Sequence, residues 1–515
     1  MKEETIRSAK EQLVNQVTGL LAGMEESIRT GQPVHETEQF LWDKLMIMGH
    51  KLLEVFFALC VGDEGELVML PDGRQVRRLK TLHPKRYVSI FGSFDLERVV
   101  YGTREGQKIE YAPLDRRCGL PEGVFSYLLQ DWEQSLAQEM PFAQVSATLA
   151  KILGFKQSVN SLERMDRDMA EAADAFWEAQ PTPAADKEGE LLVITADGKG
   201  VPMRKTTASM ETAAGQSATP SPDPGKPKPG ITPGTKKMAL LGAVYTVDRF
   251  PRTPEQVIES LFRSPSSATN PVPKRAEPQF KRVRAELLRD EAGTTAPQVE
   301  KIFGWLAQEA TSRNPDGKKP ILHLMDGQES LWDAGLEYLP EDRFKVTEIL
   351  DLFHVLTYLW EAVHLFHPNG SPEASRFVRT LLDQILHGAV ESVISTLRRK
   401  GEEELRGQSV AVLERILGYF RNNAHRMIYD EYLAAGYPIA SGVIEGACRC
   451  VVKDRMERSG MRWVLDGARA MLNLRSISLS GLWEPFTQFR IHRELQRIYP
   501  YAPANDENKT LLLAA

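Results

Sequence analysis

The 515-residue chain has little cysteine: four residues, Cys60, Cys118, Cys448 and Cys450. So few thiols exclude a disulfide scaffold and fit a reducing compartment. Cys448 and Cys450 are spaced C-x-C with no second Cys/His pair nearby. They read as two small residues on a helix rather than half of a zinc site. The chain also lacks a long apolar run. Its most apolar early stretch, Leu52 to Val61, is interrupted by Glu54 and falls short of a membrane span. The opening MKEETIRSAKEQLV has no apolar signal-peptide segment, so a cytoplasmic protein with no membrane partner is expected. There is no excess of positive charge: 64 Lys+Arg stand against 70 Asp+Glu, a net charge of −6. That excludes a histone-like protein coating nucleic acid by bulk charge, but not local basic patches. The phosphate-loop, dinucleotide-loop, nucleophile-elbow and HExxH patterns are missing, which removes the commonest nucleotide, hydrolase and zinc-protease chemistries. No internal repeat marks a solenoid.

What is present is a chain with 42% hydrophobic and 26% charged residues, ordinary for folded domains and long enough for two to four of them. Residues 1–62 have helical periodicity, with Leu41, Leu45, Met48, Leu52 and Val55 on one stripe. Residues 63–115 change to a small β module, with a Pro-Asp-Gly turn inside LVMLPDGRQV and alternation in RYVSIFGSFDLERVVY. Between Asp72 and Arg86 lie Arg74, Arg77, Arg78, Lys80, Lys85 and Arg86 against the single acid Asp72, a local charge of +5. Residues 116–185 return to helix. Two short helical patterns around Gly154, the second capped by Ser158, have the layout of a DNA-binding helix-turn-helix. Lys156, Asn160 and Arg164 are its candidate contacts. An ordinary pair of packed helices has the same layout.

From residue 186 the texture changes again. ELLVITADGKGV reads as a buried strand whose Asp197 sits at its exit. Residues 206–235, rich in Pro, Gly, Ser and Thr, read as a flexible loop before the buried strand KKMALLGAVYTVDRF. EPQFKRVRAELLRDE reads as a charged helix. KPILHLMDGQESLW gives a strand ending at Asp326, and EILDLFHVLTYLW a strand running to Asp351 with His354 one turn on. Residues 361–435 are helical in pattern. After YPIASG comes a helix carrying Glu445, with Arg449 and Lys453 at four-residue spacing on one face. Such spacing serves equally for an intrahelical Glu445–Arg449 ion pair. Trp463 reads as a core residue, with stacking on an unpaired base as the alternative.

Separated carboxylates at the ends of buried strands suit Mg²⁺ or Mn²⁺, which take oxygen ligands while keeping water and substrate phosphate. An Asp-Gly after a strand is also a common turn. Order strengthens the first reading: strand, hairpin strand, then alternating helices and strands, with Asp early, Asp later and Glu on a late helix. On the segments ITADGKGVPM, KKMALLGAVYTVDRF, ILHLMDGQESLW, EILDLFHVLTYLW and YPIASGVIEGACRCVVKDRMERSGMRW, the chain resembles bacterial insertion-sequence transposases of the DDE type, the ISKra group.

The resemblance covers the chain from about residue 188. It implies a mixed α/β fold, in which a helical and small-β N-terminal DNA-binding region precedes a ribonuclease H-like catalytic core. That core would occupy residues 186–360 and 436–515, with an all-α insertion at 361–435. It also implies that Asp197, Asp326 and Glu445 hold two Mg²⁺ (or Mn²⁺) ions. Asp351 is a rival to Asp326, and Asp351 and His354 are otherwise accessory. Arg449, Lys453, Arg77, Arg78, Lys156 and Arg164 would contact DNA. The implied partner is double-stranded DNA, at the element ends and the target, bound by a homo-oligomer on the bacterial nucleoid. An inactive, domesticated transposase acting as a sequence-specific DNA-binding protein is the alternative function.

Overall fold

A computed structural model describes residues 2–61, 64–70, 72–104, 106, 108–204, 236–262, 276–287, 297–340 and 343–500. The loop expected at 206–235 lies outside them. The chain divides into two compact units, one formed by residues 1–172 together with those from 484 onward, the other by residues 173–483.

The first unit begins with two long helices, α1 (Lys2–Thr30) and α2 (Val34–Cys60). Strands β1 (Leu67–Met69), β2 (Gln75–Arg78) and β5 (Tyr101–Gly102) form one antiparallel sheet. β3 (His83–Ser89) and β4 (Gly92–Arg98) form a hairpin. At the Asp72-Gly73 step between β1 and β2, Gly73 takes φ 82°, a conformation glycine adopts without a Cβ penalty, and Asp72 accepts the Arg74 N–H. Helices α3 (Pro113–Cys118), α4 (Tyr127–Glu139), α5 (Phe142–Leu153) and α6 (Val159–Ala170) follow. Phe57, Phe94, Leu96, Leu114 and Leu120 form a small core between α2, the β3–β4 hairpin and α3. α4, α5 and α6 pack against one another, and Ser158 caps α6 through the Ser161 N–H.

The second unit starts with α7 (Ala173–Glu178) and is built on a five-stranded mixed sheet. Its strands are β6 (Leu191–Pro202), β7 (Lys236–Val247), β8 (Gln279–Leu287), β9 (Ile321–Met325) and β10 (Val346–Leu350), in the order β10-β9-β6-β7-β8. β6 runs parallel to β9, and β9 to β10; β7 is antiparallel to both β6 and β8. The continuous apolar runs LLVITA and ILHLM are fully buried, as strands covered on both faces must be.

The helices of this unit are α8 (Pro254–Leu261), α9 (Pro297–Arg313), α10 (Glu329–Tyr338), α11 (Leu352–Val363), α12 (Pro372–Leu386), α13 (Val390–Glu404), α14 (Gln408–Asn423), α15 (Tyr429–Ala434), α16 (Gly442–Ala447) and α17 (Leu465–Leu479). One apolar core runs from the sheet through α8–α11 into α12–α15. α18 (Trp483–Ile498) is the last described helix. From residue 484 it belongs to the first unit, where the sequence reading had placed the whole C-terminal region with the core.

Residues 277–291, expected to be helical, contain a strand instead. In β8 the charged residues Arg282, Arg284 and Glu286 alternate, so they share one face, and all are buried. Ion pairs satisfy them: Arg282 with Glu309 at 2.7 Å, Arg284 with Asp174, and Glu286 with Lys301 at 2.8 Å and Arg469 at 2.9 Å. Val283, Ala285 and Leu287 alternate with these charges and are buried on the other face, but with charged residues at every second position the segment resembles a solvated helix.

Candidate metal centre across three parallel strands

The strand register places three aspartates side by side. Leu192 pairs with Ile321 and Ile194 with His323; continued three residues, this register brings Asp197 level with Asp326. Leu350 pairs with Met325, which brings Asp351 level with Asp326, and the Asp351 N–H donates to the Met325 carbonyl at 2.8 Å. The three carboxylates therefore form one row that crosses β6 within the strand and meets β9 and β10 at their ends. Carboxyl ends of parallel strands are where open α/β sheets place their ligand crevices.

Asp197 is not at the exit of its strand. β6 stays paired with β7 to Pro202↔Lys236, whereas its pairing with β9 ends at Ile194. Asp197 is thus held in a hairpin on one side and free of β9 on the other. Its Oδ1 accepts the Gly198 N–H at 2.6 Å, and its Oδ2 accepts the Cys448 thiol at 3.3 Å.

Asp326 closes an Asx turn by accepting the Gln328 N–H at 3.0 Å. A Cβ on Gly327 would lie 2.2 Å from the Tyr419 ring, so only glycine allows that ring so close to the turn. Burial raises the Asp326 carboxyl above its usual range; the Gln328 N–H opposes this, and the charge of Asp197 adds to it.

Asp351 is fully buried and caps α11. Its Oδ1 accepts the Phe353 N–H at 3.2 Å and the Ser441 N–H at 3.0 Å, and its Oδ2 lies 2.9 Å from His354 Nδ1. Burial works against its charge, yet the bonds from His354, Ser441 and Phe353 outweigh it and hold the carboxyl below the usual range. His354 is pushed up, first by its bond to Asp351 and further by the charges of Asp351, Asp326 and Glu445.

Glu445 comes from α16. Partial burial and the neighbouring Asp351 raise its carboxyl, while His354 opposes the shift and the charge of Asp197 adds to it. One ligating atom each from Asp351, His354 and Glu445 lies within 4.8 Å of the other two. All five sequence-derived residues, Asp197, Asp326, Asp351, His354 and Glu445, thus share one electrostatic neighbourhood.

Cys448 was missed. It stands one turn after Glu445, a spacing visible in the sequence, but a lone thiol carries no signal until β6 is placed beside it. The helix itself differs from expectation: α16 gives way to a π-helical turn, Cys448–Lys453. Such turns often occur at functional sites. Arg449 and Lys453 are exposed, as Glu445 is. Arg449 pairs with Asp454 at 3.4 Å rather than with Glu445. Trp463 is buried and donates its indole N–H to the Met456 carbonyl at 3.0 Å, a core role.

In the first unit, Arg77, Lys156 and Arg164 are exposed and Arg78 is half-buried. The +5 segment is less free than its composition suggests. Arg74 pairs with Asp72 at 2.8 Å and with Glu110, and Lys85 donates to the Pro121 carbonyl at 2.6 Å and pairs with Asp115 at 3.4 Å.

No family model matches this chain, and no curated protein does. Among solved structures it is similar to the Drosophila P element transposase strand transfer complex, at TM-score 0.26 and 12% identity, over 74% of this chain and 86% of that one. No described helix is long and apolar enough to cross a membrane.

Proposed function

We propose that the protein is a DNA transposase that binds the ends of its own element, hydrolyses a phosphodiester at each end, and joins the freed 3′-OH to target DNA. The observation that carries this reading is the row Asp197–Asp326–Asp351 with Glu445 and His354 against it. The strand order supports a ribonuclease H-like core: in chain order the sheet reads fifth-fourth-first-second-third, with the second strand antiparallel to its neighbours.

The donor set fits hard divalent cations, since carboxylates converge where two of them, Asp326 and Glu445, are held above their usual range. Asp197, Asp326 and Glu445 would hold Mg²⁺ or Mn²⁺, which when bound lower the pKa of water and offset charge on a phosphodiester. Cys448 and Gly198 fix the Asp197 carboxylate through its two oxygens. Asp351, spent on capping α11 and on Ser441, acts as the support that joins α11 to the start of α16. That division favours Asp326 over Asp351 as the second acid. Arg449 and Lys453 stand exposed on the same segment as Glu445 and would bind the phosphate backbone beside it. Arg77, Lys156 and Arg164 offer exposed cations for duplex contacts elsewhere.

The test is Mg²⁺-dependent cleavage of DNA carrying the element's terminal repeats. Asp197→Ala, Asp326→Ala and Glu445→Ala are each expected to lose about three orders of magnitude in rate, about 4 kcal/mol of transition-state stabilisation. A variant that cleaves near the normal rate removes its residue from the set. A folded wild-type protein that binds the repeats without cutting them favours a DNA-binding protein without catalysis.

A further inference from the structure

His354 sits on the first turn of α11, three residues after the cap Asp351. The two Asp351 oxygens are used differently: Oδ1 takes both backbone N–H groups, and Oδ2 faces His354 Nδ1 at 2.9 Å. With Nδ1 on that carboxylate, Nε2 is the ring nitrogen left to meet a ligand. The His354 side chain is 38% exposed, while Asp351 is fully buried beneath it. A buried carboxylate under a half-exposed imidazole is the arrangement that fixes the ring of a metal-ligating histidine. Glu445 completes the cluster, with one carboxyl oxygen within 4.8 Å of a ligating atom of Asp351 and of His354. Two adjacent carboxyls beside an oriented imidazole are relieved by a cation placed among them.

We propose that His354 supplies a nitrogen ligand to a divalent cation held with Glu445, and that Asp351 orients its ring. The inference rests on reading the aspartate row as a cation site, and it adds a consequence that an all-carboxylate site does not have. An imidazole ligand favours Mn²⁺ or Co²⁺ over Mg²⁺, which prefers oxygen ligands and retained water. His354 is the only histidine in this cluster among the described residues.

The experiment uses the full chain with Mn²⁺ alone as the probe. Pulsed electron paramagnetic resonance of bound Mn²⁺ is expected to show a ¹⁴N coupling that becomes ¹⁵N when only histidine is ¹⁵N-labelled. His354→Gln is expected to abolish that coupling, to lower Mn²⁺ affinity by about tenfold or more, and to change Mg²⁺ affinity much less. Asp351→Asn is expected to keep the coupling and weaken Mn²⁺ by about tenfold. Bound Mn²⁺ without nitrogen coupling in the wild type, or coupling retained in His354→Gln, overturns the proposal. If calorimetry shows that neither Mn²⁺ nor Mg²⁺ binds, the cation site itself is overturned, a different failure from the loss of nitrogen alone. The isotope exchange in the wild-type protein decides the point even if His354→Gln does not fold.

Discussion

Within β6 and at the ends of β9 and β10 the carboxyl groups of Asp197, Asp326 and Asp351 converge, and a thiol, an imidazole and backbone N–H groups receive them. In α4 the carboxyl of Glu133 is fully buried, and neither oxygen has a hydrogen-bond partner among the described residues. Gln134 and Gln138 are buried beside it in the same helix. Burial alone pushes Glu133 up to about 8, so it is neutral over most of the physiological range. In the row, Asp351 is held below its usual range despite complete burial, because three donors meet it. What distinguishes a candidate site from an isolated buried acid is therefore convergence with partners, not burial.

This contrast can be broken at several points. The largest loss of stability is expected at Asp351→Ala, which removes a helix cap and leaves the buried Ser441 N–H without its acceptor. A loss of about 2–4 kcal/mol should appear in chemical denaturation. Glu133→Gln tests the other side. In the wild type, the unfolded chain ionises Glu133 above its ordinary value of 4.5 while the folded chain keeps it neutral to about 8. The unfolded state thus binds fewer protons, and stability falls as pH rises through that window. Glu133→Gln should flatten the fall, gaining about 4 kcal/mol at pH 8 and almost nothing at pH 4, read from denaturation curves at the two pH values.

Asp326→Asn should be mildly stabilising, by about 0.5–1 kcal/mol, because it relieves a buried charge that Asp197 repels, yet it should abolish cleavage. A large loss of stability would instead make Asp326 a structural turn residue. The smallest effects are expected in the first unit. Removing Arg77, Lys156 or Arg164 singly should lower the salt dependence of DNA binding by about one unit of slope each, without changing the cleavage rate of bound DNA.

Much of the sheet was legible because its strands announce themselves. LLVITA and ILHLM are apolar runs that only a covered strand accommodates, and both lead into Asp-Gly. The aspartates were legible for the same reason, since each follows a buried apolar run. β8 was not, because Arg282, Arg284 and Glu286 are buried through partners contributed by Asp174, Lys301, Glu309 and Arg469, which sequence proximity does not reveal. Cys448 was opaque on similar grounds: its link to Asp197 spans 251 residues. The π-helical turn after α16 also has no sequence signature, so the four-residue spacing left an Arg449–Glu445 pair open where the fold pairs Arg449 with Asp454. The equality of register that sets Asp197 beside Asp326 and Asp351 follows from strand pairing and is invisible along the chain.

The central claim, that the aspartate row holds divalent cations, is tested most directly by thermal unfolding with and without Mg²⁺. A ligand that binds only the folded state raises stability by RT ln(1 + [L]/Kd), about 2.7 kcal/mol at a hundredfold excess over Kd. The wild-type melting temperature should rise with Mg²⁺ and not with Na⁺ at matched ionic strength, and Asp197→Ala and Asp326→Ala should lose the rise. An equal rise in all three proteins, or none in the wild type, would contradict the account.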